Sequence, residues 1–125
     1  LTKESDLCNT PEWLKIHFNN HFDPCPQNPL FDGLNIDWKN PSFVNPPYSE
    51  PLKWVEKAII ETKKGVNVIM LLKVDPSTKW YKRLIENNAH FSYFNERISF
   101  IHQINGEFKT SNNFANMLVY IQKED

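Results

Sequence analysis

Residues 42 to 49 read Ser42-Phe43-Val44-Asn45-Pro46-Pro47-Tyr48-Ser49. Ser42, Phe43 and Val44 make a short extended run, and the two prolines stop it. Proline has no amide hydrogen for a sheet ladder and fixes its own backbone. The stretch therefore predicts a strand ending in a rigid turn, with Asn45 and Tyr48 just past the strand. In open α/β sheets, ligands bind beyond the carboxyl ends of the strands. Asn45 offers a side-chain carbonyl as acceptor, and the Pro46 backbone carbonyl is a second acceptor held still by the Pro47 ring. Two acceptors converging on one spot suit an amino group with two hydrogens. Tyr48 adds a flat face for stacking a planar ring. The implied site is a pocket for an exocyclic amine on an aromatic base. The competing reading is a proline-rich loop whose tyrosine fills a gap. The asparagine in front, the strand before and the helix after favour the pocket.

The rest of the chain frames that turn. Glu50-Pro51 opens a helix in which Leu52, Val55, Ile59 and Thr62 recur at helical spacing beside Trp54 and Ala58. Gly65 ends it behind Lys63 and Lys64, where cations favour the helix dipole. Val66 to Leu72 is almost continuously apolar, as expected of a parallel-sheet strand buried on both faces. Asp75-Pro76 begins a third helix with Trp80, Tyr81, Leu84 and Ile85 on one face. His90 to Phe94, Ile98 to Ile104 and Phe114 to Ile121 predict strands, the last two joined by a loop holding Asn105-Gly106, a hairpin signal. Upstream, Thr10 as cap, Pro11 at the first position and Glu12 in the first turn predict a helix to about residue 20. Its face is Trp13, Leu14, Ile16, His17 and Phe18. His21-Phe22-Asp23-Pro24 reads as a short strand ending at an acidic residue. Residues 24 to 41 carry four prolines and predict a loop with a turn near Asp32 to Asn35.

This order is α/β: a mostly parallel sheet, an antiparallel C-terminal hairpin, and helices on both faces. The chain has 125 residues, 40% hydrophobic and 23% charged, which fits one domain over residues 10 to 125 behind a loose lead-in at residues 1 to 9. With only 3 glycines there is no glycine-rich phosphate loop, so nucleoside triphosphates are poor candidates. A net charge of -1 argues mildly against tight autonomous DNA binding through phosphates. The 2 cysteines, Cys8 and Cys25, lack metal-type spacing and are expected as reduced thiols in a cytoplasmic protein. The histidines His17, His21, His90 and His102 show no ligand motif, so no metal is expected.

Asn45-Pro46-Pro47-Tyr48 resembles the catalytic motif of amino-group methyltransferases that use S-adenosylmethionine. Further pieces resemble one family, the phage-type DNA N6-adenine methyltransferases. These are Thr10-Pro11-Glu12-Trp13, Phe22-Asp23-Pro24-Cys25, Asp32-Gly33-Leu34 with Trp38, and Phe43 to Tyr48 followed by Trp54. Val68 to Leu72, Thr78-Lys79-Trp80, Arg97-Ile98-Ser99-Phe100 and the final apolar run complete the set. The ordered match covers nearly the whole chain and is far more specific than the four-residue motif alone. It implies a reduced Rossmann-like methyltransferase fold. Only residues 26 to 41 lie between the first strand and the catalytic one, too few for a complete βαβ crossover. The omitted piece normally helps to hold the cofactor ribose.

The resemblance also implies roles. Asn45, Pro46, Pro47 and Tyr48 form the catalytic turn. Asp23 and Pro24 lie on the cofactor side, where a carboxylate accepts from the methionine ammonium. Asp32 is placed at the cofactor adenine, with turn chemistry as an equal rival. Thr10, Pro11 and Trp13 cover the methionine end, Trp13 being equally readable as core. Lys53, Lys57, Lys79, Lys82 and Arg83, on the starts of two helices, are candidates for DNA phosphates, with a solvated helix face as their plain alternative; Arg97 is a further candidate. No separate target-recognition domain is evident, so specificity falls to short loops or to a second copy in a homodimer. Two rivals remain at this stage: an enzyme methylating a protein glutamine amide, and a non-catalytic methyltransferase-derived module that binds DNA or protein.

Overall fold

The structure, a computed structural model, describes residues 10–26, 30–97, 100–104, 107–111 and 114–124. The expected lead-in at residues 1 to 9, with Cys8, and the Asn105-Gly106 turn lie outside the described residues. Among the described residues the α-helices are α1 (Glu12–Lys15), α2 (Pro51–Lys63) and α3 (Lys79–Glu86). The strands are β1 (Ser42–Val44), β2 (Val68–Lys73), β3 (His90–Tyr93), β4 (Phe100–Ile104), β5 (Glu107–Ser111) and β6 (Asn116–Ile121).

The main sheet has the order β1-β2-β6-β3. β1 and β2 are parallel, Phe43 standing opposite Ile69. β6 is antiparallel to both β2 and β3. Hence β1, β2 and β3 point one way and β6 runs against them between the last two. On the outer side of β1, Phe22 makes a single parallel bridge to Ser42. The predicted strand at residues 21 to 24 thus contracts to one bridged residue, anchored by Phe43 N–H donating to the Phe22 carbonyl at 2.9 Å.

The C-terminal hairpin differs from its predicted form. β4 pairs antiparallel with β5, Phe100 opposite Ser111, as a separate two-stranded sheet. The last strand was expected as its partner but enters the main sheet instead. Its burial explains this: Met117 and Val119 are fully buried, which a two-stranded ribbon cannot provide.

Side chains alternate across the sheet, as the strand period of two requires. Val44, Val68, Met70, Leu72, Met117, Val119 and Ile121 face α2 and α3 and join Val55, Ala58, Ile59, Trp80 and Leu84 in the larger core. Phe43, Leu71 and Leu118 face the other way and pack with Leu14 of α1. Phe18, in the 3-10 turn at Ile16–Phe18 after α1, stacks on Phe43 with centroids 4.2 Å apart. Helices therefore cover both faces.

The helix ends follow their sequence signals closely at α2. Pro51 sits in its first turn, and Gly65 adopts φ +105 just beyond its end, a left-handed conformation that suits glycine. α3 begins later than Asp75-Pro76 implies: Thr78 is its cap, accepting from Tyr81 N–H at 3.3 Å. α1 is far shorter than predicted. Its cap is Pro11, and no side chain caps it. Trp13 and Ile16 are more than half exposed, so Trp13 is not core.

Between Phe22 and Ser42 no further helix or strand occurs among the described residues. This segment is held by buried Glu61 on α2. The Glu61 carboxylate accepts from Trp38 backbone N–H at 2.7 Å, from Lys57 at 3.1 Å and from Lys64 at 2.8 Å. Trp38 Nε1 donates to the Gly33 carbonyl at 2.7 Å, and its ring stacks with Trp54. Gly33 lies so close to the Pro24 carbonyl that a methyl group there would collide with it.

Burial pushes the Glu61 carboxyl up, but hydrogen bonds from Lys64, Trp38 and Lys57 outweigh it and hold the pKa below 4.5. A depressed carboxylate contributes stability that is full above its unfolded pKa and lost as pH falls through the folded one. Glu61→Gln is therefore expected to lower the urea midpoint at pH 7, and Glu61→Ala to cost about 3 kcal/mol, the lower end for a buried ion pair losing one partner. The gap between parent and Glu61→Gln should narrow as pH drops below 4.5. A gap that stays constant across that range would show that the charge contributes nothing.

Candidate active site

β1 is fully buried, so its register is fixed. Asn45 leaves that end half-buried, Pro46 is buried, and Tyr48 is half-buried above the start of α2. The prolines deliver Asn45 and Tyr48 to the same edge at which Phe22 hands over to Asp23.

Asn45 Nδ2 donates to Thr10 Oγ1 at 3.0 Å. Sequence reasoning gives Thr10 to the helix as a cap; the structure gives its hydroxyl to Asn45. The bond draws the chain ahead of α1, with buried Pro11, over the end of β1. With Nδ2 occupied, Asn45 Oδ1 is the atom presented as an acceptor. Trp13 is 56% exposed and meets Phe94 edge-on at 6.1 Å.

Asp23 Oδ1 accepts from Cys25 N–H at 2.9 Å. Asp23 keeps an open surface, yet desolvation by the surrounding segments raises its carboxyl above 3.8, against the lowering effects of that hydrogen bond and of Lys15. An ionised carboxylate with one backbone donor and an unfavourable setting suits a cationic ligand. Asp32 is engaged in its own turn: its oxygens accept from Leu34 N–H and Asn35 Nδ2.

Tyr48 is gripped from β6. Asn116 Nδ2 donates to the Tyr48 hydroxyl at 3.3 Å, and Phe114 meets the Tyr48 ring edge-on at 5.5 Å. Lys73 Nζ, at the carboxyl end of β2, lies 5.2 Å from the centre of the Phe114 ring. Asn116 and Phe114 escape sequence reasoning because only the insertion of β6 beside β2 places them near Tyr48.

Residues 28–124 match the model of the DNA N-6-adenine-methyltransferase (Dam) family. That is most of the chain. It belongs to this family. A curated relative, the DNA N-6-adenine-methyltransferase of Haemophilus phage HP1 (strain HP1c1), is 36% identical over an alignment covering 97% of this chain and 82% of the relative. A solved SAM-dependent O-methyltransferase from Thermotoga maritima is a looser likeness: TM-score 0.40, 12% identity, 73% of this chain and 37% of that one.

In this Dam-family chain the candidate phosphate contacts divide by what they already hold. Lys57 is committed to buried Glu61, and Arg83 is paired with Glu56 at 2.6 Å and Glu86 at 3.3 Å, tying α3 to α2. Lys53 meets only exposed Glu50 among the described ion pairs. Lys79, Lys82 and Arg97 are exposed. Lys53 and Lys79 stand in the first turns of α2 and α3, at the edge where the active site opens. Among the described residues no group of histidine, cysteine or acidic side chains is arranged for a metal, and no helix is long and apolar enough to cross a membrane.

The raised Asp23 carboxyl carries a sign that can be tested. Its ionised form is disfavoured in the fold, so the penalty is full above the folded pKa and absent below 3.8. Asn keeps the acceptor for Cys25 and removes the charge. Asp23→Asn should melt at or slightly above the parent at pH 7, with the difference vanishing on acidification. A variant that melts clearly lower would show that Asp23 serves the fold.

Proposed function

We propose that this family's reaction, methyl transfer to the N6 amine of adenine in DNA, takes place at the carboxyl end of β1 with S-adenosylmethionine as donor. The observation that carries the reading is the hydrogen bond from Asn45 Nδ2 to Thr10 Oγ1, which leaves the Asn45 carbonyl oxygen to accept from a ligand amine. The chain's own groups suit the cofactor there. Asp23 would accept from the methionine ammonium, and Thr10, Pro11 and Trp13 would cover that end. When bound, the cofactor supplies an electrophilic methyl on a sulfonium.

The N6 lone pair of adenine is delocalised into the ring, so the amine is a weak nucleophile. Asn45 Oδ1 and the Pro46 carbonyl would each accept one amine hydrogen. That pulls the nitrogen toward a tetrahedral shape and aims its lone pair for in-line displacement. The methylated amine is acidic and loses a proton afterwards, so no strong base is required. The base must leave the duplex at a cost of a few kcal/mol, and Tyr48 stacking returns about 1–3 kcal/mol of it. Lys53, Lys79, Lys82 and Arg97 are proposed to meet phosphates, and a homodimer is proposed as the means of extending the DNA footprint.

The test is methyl incorporation into adenine-containing DNA at saturating cofactor and DNA. Asn45→Ala should lower turnover about a hundredfold, the scale for one preorganised polar contact. Asn45→Asp keeps an acceptor and should retain measurable transfer. Thr10→Val should lower turnover, whereas Thr10→Ser should restore it. An Asn45→Ala chain as fast as the parent would remove the site assignment. For the cofactor, Asp23→Asn should weaken binding by about 1.5–3 kcal/mol by calorimetry, the range for hydrogen bonds to charged groups. A parent that binds cofactor yet methylates no DNA would turn the reading toward a protein glutamine amide.

A further inference from the structure

Asn116 opens β6 and is 1% exposed. Its Nδ2 lies 3.4 Å from the Leu72 carbonyl oxygen and 3.3 Å from the Tyr48 hydroxyl. A carbonyl oxygen only accepts, so the amide edge facing Leu72 must be the NH2 group. That forces Oδ1 to the other side, where it is buried with no hydrogen-bond partner among the described residues. An unmet buried acceptor destabilises a fold, and an apolar residue of similar size avoids the penalty. Stability alone does not account for asparagine here. What the asparagine adds is a donor, delivered from the far end of the chain to the oxygen of Tyr48.

We propose that Asn116 is a positioning residue for Tyr48, fixing the plane in which the ring receives the target base; this rests on the stacking role given to Tyr48 above. Pro47 fixes the backbone before Tyr48 but leaves both side-chain torsions free. A donor at the phenol oxygen restrains the tip of the ring, and the edge-on Phe114 contact restrains its side. With both in place the ring is oriented before the base arrives, which removes an ordering step from binding and turnover. Asn116 touches neither the amine nor the methyl group in this scheme; it acts through Tyr48.

The inference predicts shared, not independent, losses. Asn116→Leu and Tyr48→Phe delete the same hydrogen bond from opposite ends. Each should lower kcat for DNA methylation by about threefold to tenfold, the scale of one neutral hydrogen bond. The double variant should be no slower than the slower single, with KM for S-adenosylmethionine unchanged throughout. Asn116→Leu should melt at or above the parent, because the orphan acceptor is gone. Should it fail to fold, Asn116→Ser, too short to reach Tyr48, takes its place in the same cycle. Losses that multiply in the double variant would overturn the inference, as would Tyr48→Phe equalling the parent. A parent that transfers no methyl to DNA removes the reaction and this inference together; a parent that does, with multiplying losses, removes this inference alone.

Discussion

The carboxylate of Glu61 is the constraint on which the arrangement turns. Two parallel strands side by side need a connection that returns to the starting end, and a helix usually makes it. Here Phe22 and β1 are joined by residues 23 to 41, with neither a helix nor a strand of their own among the described residues. Such a segment has backbone donors with no ladder to fill, although Trp38, Leu34 and Ile36 pack on the larger core. Glu61 resolves this from inside α2. One oxygen takes the Trp38 amide, and the other takes Lys57 and Lys64. Trp38 then lies on Trp54 and reaches the Gly33 carbonyl, and Gly33 lies on Pro24. Through that chain of contacts a buried charge on α2 sets the position of Asp23-Pro24 at the active-site edge. Buried ion pairs are weak sources of stability, and replacing one with apolar residues is often neutral. Apolar residues would not accept the Trp38 amide, so the specific value of Glu61 lies in where it holds the loop.

The shortened crossover also explains the thinness of one face. α2 and α3 bury a continuous core against Val44, Met70, Leu72 and Met117. Among the described residues the opposite face is covered by Leu14, Phe18 and Phe94, α1 being one turn long before it tightens into a 3-10 turn. Helices this short are unstable alone and form through tertiary packing. α1 is held at its start by the site itself, since Thr10, immediately before Pro11, is bound to Asn45. Fold and site therefore share one interaction, and the segment expected to cover the cofactor is fixed to the residue expected to perform chemistry.

Much of this was legible in the sequence where one local rule acts alone. The Pro46-Pro47 stop, Pro51 at the start of α2, Gly65 at its end and the apolar run of β2 each carry one physical meaning and read correctly. Resemblance placed the reaction and the family as well. What was illegible depended on distant partners. Thr10 satisfies the local pattern of a helix cap, and only the fold shows that Asn45 competes for its hydroxyl. Phe114 to Ile121 reads as a strand from either position, hairpin or main sheet, because apolar alternation does not name its neighbour. The choice is made by burial: the interior position between β2 and β3 buries both faces of β6. Asn116 and Phe114 come to Tyr48 by that choice alone, so no spacing in the sequence marks them.

The two polar groups of the turn are oriented in complementary ways, and the difference matters for what the pocket accepts. Thr10 has a hydroxyl, which donates or accepts, so it tolerates either orientation of the Asn45 amide. A ligand whose amine donates selects the orientation with Oδ1 outward, and the Thr10–Asn45 bond survives that selection unchanged. Asn116 has no such freedom, because it faces the Leu72 carbonyl, and its donor to Tyr48 is fixed before any ligand arrives. The aromatic platform is thus set by an invariant contact and the amine acceptor by an adaptable one. On the proposed reading, such a site would select a planar ring by shape and an amino group by its hydrogens. A base with a carbonyl at that position would present an acceptor to Asn45 Oδ1 and to the Pro46 carbonyl. Turning the Asn45 amide would relieve the first clash, but the backbone carbonyl of Pro46 has no donor to offer. On the proposed reading, discrimination between an amino and a carbonyl base would therefore fall on Pro46, whose carbonyl the following proline holds in place.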